Sequence, residues 1–163
     1  MFSCQTYESP LGRLILSSDG TALTGLSFAD RWDGPACTQG QAAAALFDET
    51  RRWLDIYFSG RDPGFTPPLA PAGSAFQRLV WQWLLQIPFG ETRTYGQIAA
   101  AVATLQGRAC MSAQAIGGAV SPNPIVLIIP CHRVVAAGGA IGGFSAGLDR
   151  KRALLSLESV RLQ

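Results

Sequence analysis

The sequence predicts an α+β protein of two domains: a β-meander with one covering helix, then a mainly helical domain containing a helix-turn-helix. Three observations carry this reading. Short apolar segments broken by turn residues occupy the start of the chain, the roughly 3.6-residue spacing of amphipathic helices takes over after Ser74, and a proline-rich stretch parts the two. At 163 residues, 48% hydrophobic and 15% charged, the chain can build one large or two small cores.

Taken in order, residues 2–28 read as short strands. Ser9-Pro10-Leu11-Gly12 and Ser17-Ser18-Asp19-Gly20 supply turn chemistry between apolar segments at 14–16 and 23–28. Over 41–58, Leu46, Phe47, Trp53, Leu54, Tyr57 and Phe58 share one helical face, while Asp48, Glu49, Arg51, Arg52 and Asp55 fill the other, so this helix should cover the sheet. Residues 60–73 hold Pro63, Pro67, Pro68 and Pro71 around Gly64, a composition that resists both helix and ladder. The domain boundary is placed there, giving domains 1–73 and 74–163.

Ser74 with Gln77 forms a capping box ahead of Phe76, Leu79, Val80, Trp83, Leu84 and Ile87 at helical spacing, and Pro88-Phe89-Gly90 ends that helix. Thr94 with Gln97 opens a short helix to about Val102, and Ser112 caps another at 113–120 that Pro122 and Pro124 end. Two short helices and a turn are consistent with a helix-turn-helix. The second is rich in small residues, Ala113, Ala115, Gly117, Gly118 and Ala119, and each glycine costs roughly 1 kcal/mol against alanine. Either tight packing in the core or close approach by a nucleic acid accounts for them.

The formal net charge of +2 says little for or against a nucleic-acid partner. No apolar run reaches the ~20 residues of a membrane span and no signal-peptide pattern opens the chain, so a cytoplasmic protein without membrane contact is expected. Cys4, Cys37, Cys110 and Cys131 lie far apart with no C-x-x-C pair, and one histidine is too few for a Cys/His cluster. A disulfide framework, a metal and a cofactor are therefore not expected.

Residues 125–129 are an unbroken apolar run between Pro124 and Pro130, which suits a buried strand. At its end stand Cys131, His132 and Arg133. An imidazole and a guanidinium beside the thiol are expected to lower its pKa, whereas Cys4, Cys37 and Cys110 read as inert buried thiols. Neighbours on an extended strand point to opposite sides, so a water or a turn must connect Cys131 to His132.

These residues resemble the O6-alkylguanine-DNA alkyltransferase family. Pro130-Cys131-His132-Arg133-Val134 matches its active-site pentad; Phe76-Gln77, Val80-Trp81, Ile87-Pro88, Gly90-Glu91-Thr92 and Thr94-Tyr95-Gly96 match a first block; Gly117-Gly118-Ala119 with Asn123-Pro124 matches a second. Gly138, Gly142, Ser145, Gly147-Leu148, Leu154-Leu155 and Glu158 continue the pattern. Before Phe76 the likeness is loose.

The resemblance implies a winged-helix-like second domain that enters the DNA minor groove and flips an alkylated guanine into a pocket. Cys131 then takes a methyl or other alkyl group from O6, as an irreversible single-turnover methylated-DNA–protein-cysteine S-methyltransferase. His132 serves as base, Glu158 orients it, Tyr95 donates to guanine N3, and Asn123 braces the active-site loop. Thr94, Ala113, Gln114, Ala115, Gly117, Gly118 and Arg133 are the implied DNA contacts, and Val134, Phe144, Ser145 and Ala146 the implied pocket. The partner is double-stranded DNA carrying alkylated guanine, bound by a monomer, with cooperative binding and O4-alkylthymine repair left open. The family's metal-containing members use N-terminal Cys and His ligands, and no histidine precedes His132 here.

Three departures stand out. Gln114 takes the place of the arginine that usually fills the vacated base position, Phe144 that of a tyrosine, and Ala146 that of a frequent glycine that leaves room for bulky adducts. Two rival functions remain: a lesion-binding protein without chemistry, whose relatives lack the cysteine, and a Cys-His thiol hydrolase, for which no oxyanion-hole pattern is visible.

Overall fold

The computed structural model describes residues 2–37 and 42–160. They form two compact units, Met1–Ala72 with Pro124–Val126, and Gly73–Asn123 with Leu127–Gln163.

In the first unit, β1 (Ser3–Ser9), β2 (Gly12–Ser18) and β3 (Leu23–Phe28) form an antiparallel meander in that order. Ser9 pairs with Gly12 across the Pro10-Leu11 turn, and the second register shifts between Ser17 and Ser18, where β3 carries one extra residue, Thr24. Leu14, Leu16, Leu26 and Phe28 are buried together with Phe47, Trp53, Leu54 and Tyr57 of α1 (Ala44–Phe58). Polar bonds hold that helix to the first strand: Arg51 Nη2 donates to Thr6 O at 2.6 Å, and the Tyr7 hydroxyl to Asp55 Oδ1 at 2.6 Å. The expected helix start at Gln41 lies outside the described residues.

Two expectations for this unit change. The proline stretch is not free of pairing: Leu23 N donates to Pro68 O and Ala70 N to Leu23 O, each at 2.8 Å, so one parallel bridge pins it beside β3. Proline lacks only the N–H, and its carbonyl still accepts. Cys4 and Cys37, expected as separate thiols, are joined as a disulfide with 5.7 Å between Cα atoms. The chain after β3 returns to the start of β1, where Phe2 and Trp32 rings also meet at 6.4 Å. Linear spacing does not reveal such a return. Cys110 is free but exposed rather than buried.

The second unit contains α2 (Ala75–Leu84), α3 (Tyr95–Leu105), α4 (Ala113–Val120) and α5 (Leu148–Leu157), with β4 (Arg93–Thr94) parallel to β5 (Val134–Val135). Both capping boxes form: Gln77 N to Ser74 Oγ and Gln97 N to Thr94 Oγ1 are each 3.1 Å, and the glutamine side chains return the bond to the Ser74 and Thr94 amides. Ser112 caps α4 through Ala115 N at 3.1 Å. Val80, Trp81, Leu84, Ile98, Val102 and Ile116 make the core, each contributing about 1.5–3 kcal/mol by burial. The Trp81 indole also donates to Ala119 O at 2.8 Å, joining α2 to α4.

The expected strand at 125–129 is not one. All five residues are buried, but only Ile125 makes a bridge, to Leu26, and the chain turns at Leu127 with φ 72. Pro124 and Pro130 cannot donate to a ladder, so an apolar run too short to arbitrate strand from turn becomes a buried turn.

Candidate active site

Cys131 lies in a single 3₁₀ turn, Cys131–Arg133, rather than at a strand end. Its amide donates to Ile129 O at 2.8 Å and that of Arg133 to Pro130 O at 3.0 Å. Asn123 closes the preceding loop, its Nδ2 donating to Ile129 O at 2.8 Å, and its side chain also hydrogen-bonds the thiol. Bracing of the turn by Asn123 is therefore direct.

Behind the turn, α5 ends at Glu158, whose carboxylate is completely buried and fully engaged. Oε2 meets His132 Nε2 at 2.6 Å and accepts from Arg133 Nη2 at 3.2 Å; Oε1 accepts from Arg133 Nε at 2.8 Å and Gly90 N at 2.9 Å. Arg133 Nη1 donates to Ile87 O at 2.7 Å, and its guanidinium lies 5.8 Å from the Phe89 ring centroid. Arg133 was expected at the DNA; its side chain is instead spent on Glu158, where a buried carboxylate requires a buried cation, and on the Ile87 carbonyl in the turn after α2.

These contacts set the charges. Burial alone would raise the Glu158 pKa, but the bonds from His132 and Arg133 outweigh it and bring it down to about 2. Burial lowers that of His132 against the pull of Glu158, so the imidazole is neutral near pH 7. An ionised carboxylate only accepts, so Nε2 carries the proton and Nδ1 is the basic nitrogen. Burial pushes the Cys131 thiol up to about 11, against the Asn123 bond and the Lys151 charge. The expected lowering is therefore overturned: desolvation exceeds the neighbouring charges, and the resting sulfur is a thiol near pH 7. A resting thiol of this kind resists chance oxidation and needs a base.

Cys131 opens into a cavity of about 270 Å³ lined by Tyr95, Gly117, Val120, Ser121, Gly143, Phe144 and Ser145. Burial and the charge of Cys131 both raise the Tyr95 pKa, so its hydroxyl stays a donor. Of the expected pocket residues, Phe144 and Ser145 line it, whereas Val134 and Ala146 are buried and are not among its lining residues. An alanine at 146 thus does not narrow the cavity directly. Sequence reasoning missed Val120 and Ser121 at the C-terminal end of α4, and also Lys151, fully buried beneath the pocket edge.

On α4, Ala113, Gln114 and Gly118 are exposed and Ala115 and Gly117 half-buried, while Thr94 spends its hydroxyl on the α3 cap. A Cβ built on Gly118 meets nothing within 4 Å, and one on Gly117 only Tyr95 Cε1 at 3.9 Å. Packing within the protein does not require this glycine pair, which removes the first of the two explanations offered by composition.

The 6-O-methylguanine DNA methyltransferase DNA-binding domain matches residues 75–160, and the ribonuclease-like domain of the same name matches residues 3–71. The chain belongs to the 6-O-methylguanine-DNA methyltransferase family. Within it, the chain is 43% identical over 158 residues to a methylated-DNA–protein-cysteine methyltransferase of Mycobacterium leprae, covering 97% of this chain and 93% of that protein. It is 38% identical to one of Haemophilus influenzae, covering 94% and 84%. Among solved structures, the O6-methylguanine methyltransferase of Mycobacterium tuberculosis aligns at a TM-score of 0.79 and 39% identity, over 97% and 93% of the two chains. The same organism's protein in complex with DNA aligns at 0.81 and 38%, over 96% and 92%. These alignments bear out the α+β class, with a small antiparallel sheet and a helical DNA-binding domain.

The Glu158 cluster makes a 6-O-methylguanine-DNA methyltransferase of this construction sensitive to acid. A carboxylate whose folded pKa is depressed contributes stability above its unfolded pKa and loses it as pH falls toward the folded one. The drop from 4.5 to about 2 is on the order of 3 kcal/mol, lost between about pH 5 and 2. His132, also depressed, acts in the same direction below about pH 6.5. Denaturant midpoints measured from pH 7 to 3 should fall steeply below 5, and Glu158→Gln should flatten that fall.

Proposed function

We propose that the protein restores DNA by transferring a methyl or other alkyl group from O6 of guanine to the sulfur of Cys131, once per molecule. One observation carries the reading: a protonated, buried Cys131 faces a cavity of nucleobase scale while His132, fixed by Glu158, stands next to it in the same turn. The thiol proton passes to His132 Nδ1, directly or across one water. The sulfur attacks the alkyl carbon, the S–C bond forming as the C–O6 bond breaks, and the electron pair passes into the guanine ring. Tyr95 donates to guanine N3 as that charge develops, and in the net reaction the thiol proton ends on guanine. The product is a thioether, which no group in the site can cleave.

Reaching an alkyl carbon within a duplex requires the base to leave the stack, at a cost of a few kcal/mol. The exposed small-residue face of α4 supports close approach to the minor groove, with Gln114 entering the vacated position. DNA lies in the cell interior, so the protein acts in the cytoplasm. The defining test is stoichiometry: protein mixed with excess O6-methylguanine duplex should repair one equivalent and stop, and repeated turnover would point to a hydrolase.

Gln114 can hydrogen-bond an orphaned base but brings no cation. Gln114→Arg should tighten duplex binding and add close to one unit to the slope of log K against log salt. Fluorescence titrations at several salt concentrations would show it, and an unchanged slope would place position 114 away from the DNA.

A further inference from the structure

α5 carries two buried ionisable groups about two turns apart on the same face, Lys151 and Glu158. The function above uses Glu158 but not Lys151, which is fully buried at 0% exposure. Its Nζ donates to Val134 O at 2.6 Å and to Gly143 O at 2.8 Å. Val134 follows the Cys131 turn directly, and Gly143 belongs to the pocket edge with Phe144 and Ser145. One ammonium therefore spans both sides of the reacting centre. The edge comes this close because Gly142 has φ +71 and no side chain: a Cβ there would stand 3.3 Å from Ala136 N, 3.5 Å from Tyr95 Cε2 and 3.6 Å from Lys151 Nζ.

We infer that Lys151 is a positioning residue of the alkyl transfer: its ammonium clips the Gly143 edge of the pocket to the backbone after Cys131 and supplies the positive charge that steadies the thiolate as it forms. A buried ammonium is costly unless its donors are satisfied and a negative charge is near. Both carbonyls meet the first need, and the nascent Cys131 thiolate meets the second at the moment of reaction. The titratable groups facing it are Cys131 and His132 on the turn, with Tyr95 of α3 beside Cys131; Glu158 is matched by Arg133. Burial lowers the Lys151 pKa to about 8 while the Cys131 charge pushes it back up, so the lysine is largely charged near neutral pH.

This rests on Cys131 being the alkyl acceptor, so the test begins with the native protein. Native, Lys151→Gln and Lys151→Met chains are compared for single-turnover transfer from an O6-methylguanine duplex, and for the rate of Cys131 modification by iodoacetamide near pH 7, where Lys151 is charged, read by mass. Gln removes the charge but can still donate to the carbonyls; Met removes both. Both folded variants should transfer about tenfold or more slowly and react with iodoacetamide about tenfold or more slowly, and Met should lose more transfer rate than Gln. Should Met fail to fold, Gln alone decides. A native protein that takes up no methyl overturns the acceptor reading itself. With native transfer intact, a folded Lys151→Gln whose iodoacetamide rate or transfer rate stays within twofold of native overturns the role of Lys151.

Discussion

Cys131→Ala should abolish alkyl transfer completely while leaving the fold and the recognition of alkylated DNA in place. The substitution removes one buried sulfur and no partner on which another buried group depends, since Asn123 retains Ile129 O and the 3₁₀ turn is held by backbone bonds. The stability cost should be about 1 kcal/mol, far below that of a typical large-to-small core change. The cavity walls, Tyr95, Phe144 and Ser145 among them, are untouched. Gel-shift or anisotropy titration with an O6-methylguanine duplex should give an affinity within a few fold of native, alongside zero transfer. Residual transfer in this variant would require a second acceptor, and Cys110 would be the first to test, being the other free cysteine among the described residues.

Glu158→Gln should be the most damaging single change that leaves the nucleophile intact. An amide can neither balance Arg133 nor accept at both oxygens, so a buried guanidinium loses its counter-charge and Gly90 N or His132 Nε2 loses an acceptor. Breaking one side of a buried pair costs about 3–5 kcal/mol, visible as a lower denaturant midpoint. The imidazole also loses the group that fixes its tautomer, and the single-turnover rate should fall by about 10²-fold or more. Native stability with native rate in this variant would remove Glu158 from the mechanism.

The fold was largely legible where local chemistry is decisive. Ser74/Gln77, Thr94/Gln97 and Ser112 announce three helix starts because a capping side chain satisfies amides that no other group can reach, and all three caps form. The meander was readable from its turns. The run at 125–129 was not, because five apolar residues between prolines look alike as strand or buried turn, and only the positive φ at Leu127 separates them. The Cys4–Cys37 bond depends on where the chain returns after β3, which no local pattern encodes.

The candidate site was legible by residue type but not by energetics. Cys131, His132, Glu158 and Asn123 do converge, yet the thiol is raised rather than lowered, because burial outweighs adjacent cations. Arg133 read as a DNA contact only through the family resemblance; its carboxylate partner lies 25 residues on. Lys151 lies between Arg150 and Arg152, a basic run that by sequence fits a phosphate-binding patch and the solvated start of the last helix equally well. The missed signal was its phase: a helix that buries Glu158 also buries the residue two turns earlier.

The most direct test of the account is the intact mass of the protein after one equivalent of O6-methylguanine duplex. The account predicts that native chains gain one CH₂, that digestion places it on the Cys131 sulfur, and that a second equivalent adds nothing. An unchanged mass with lesion binding retained, or a gain on any other residue, would contradict it.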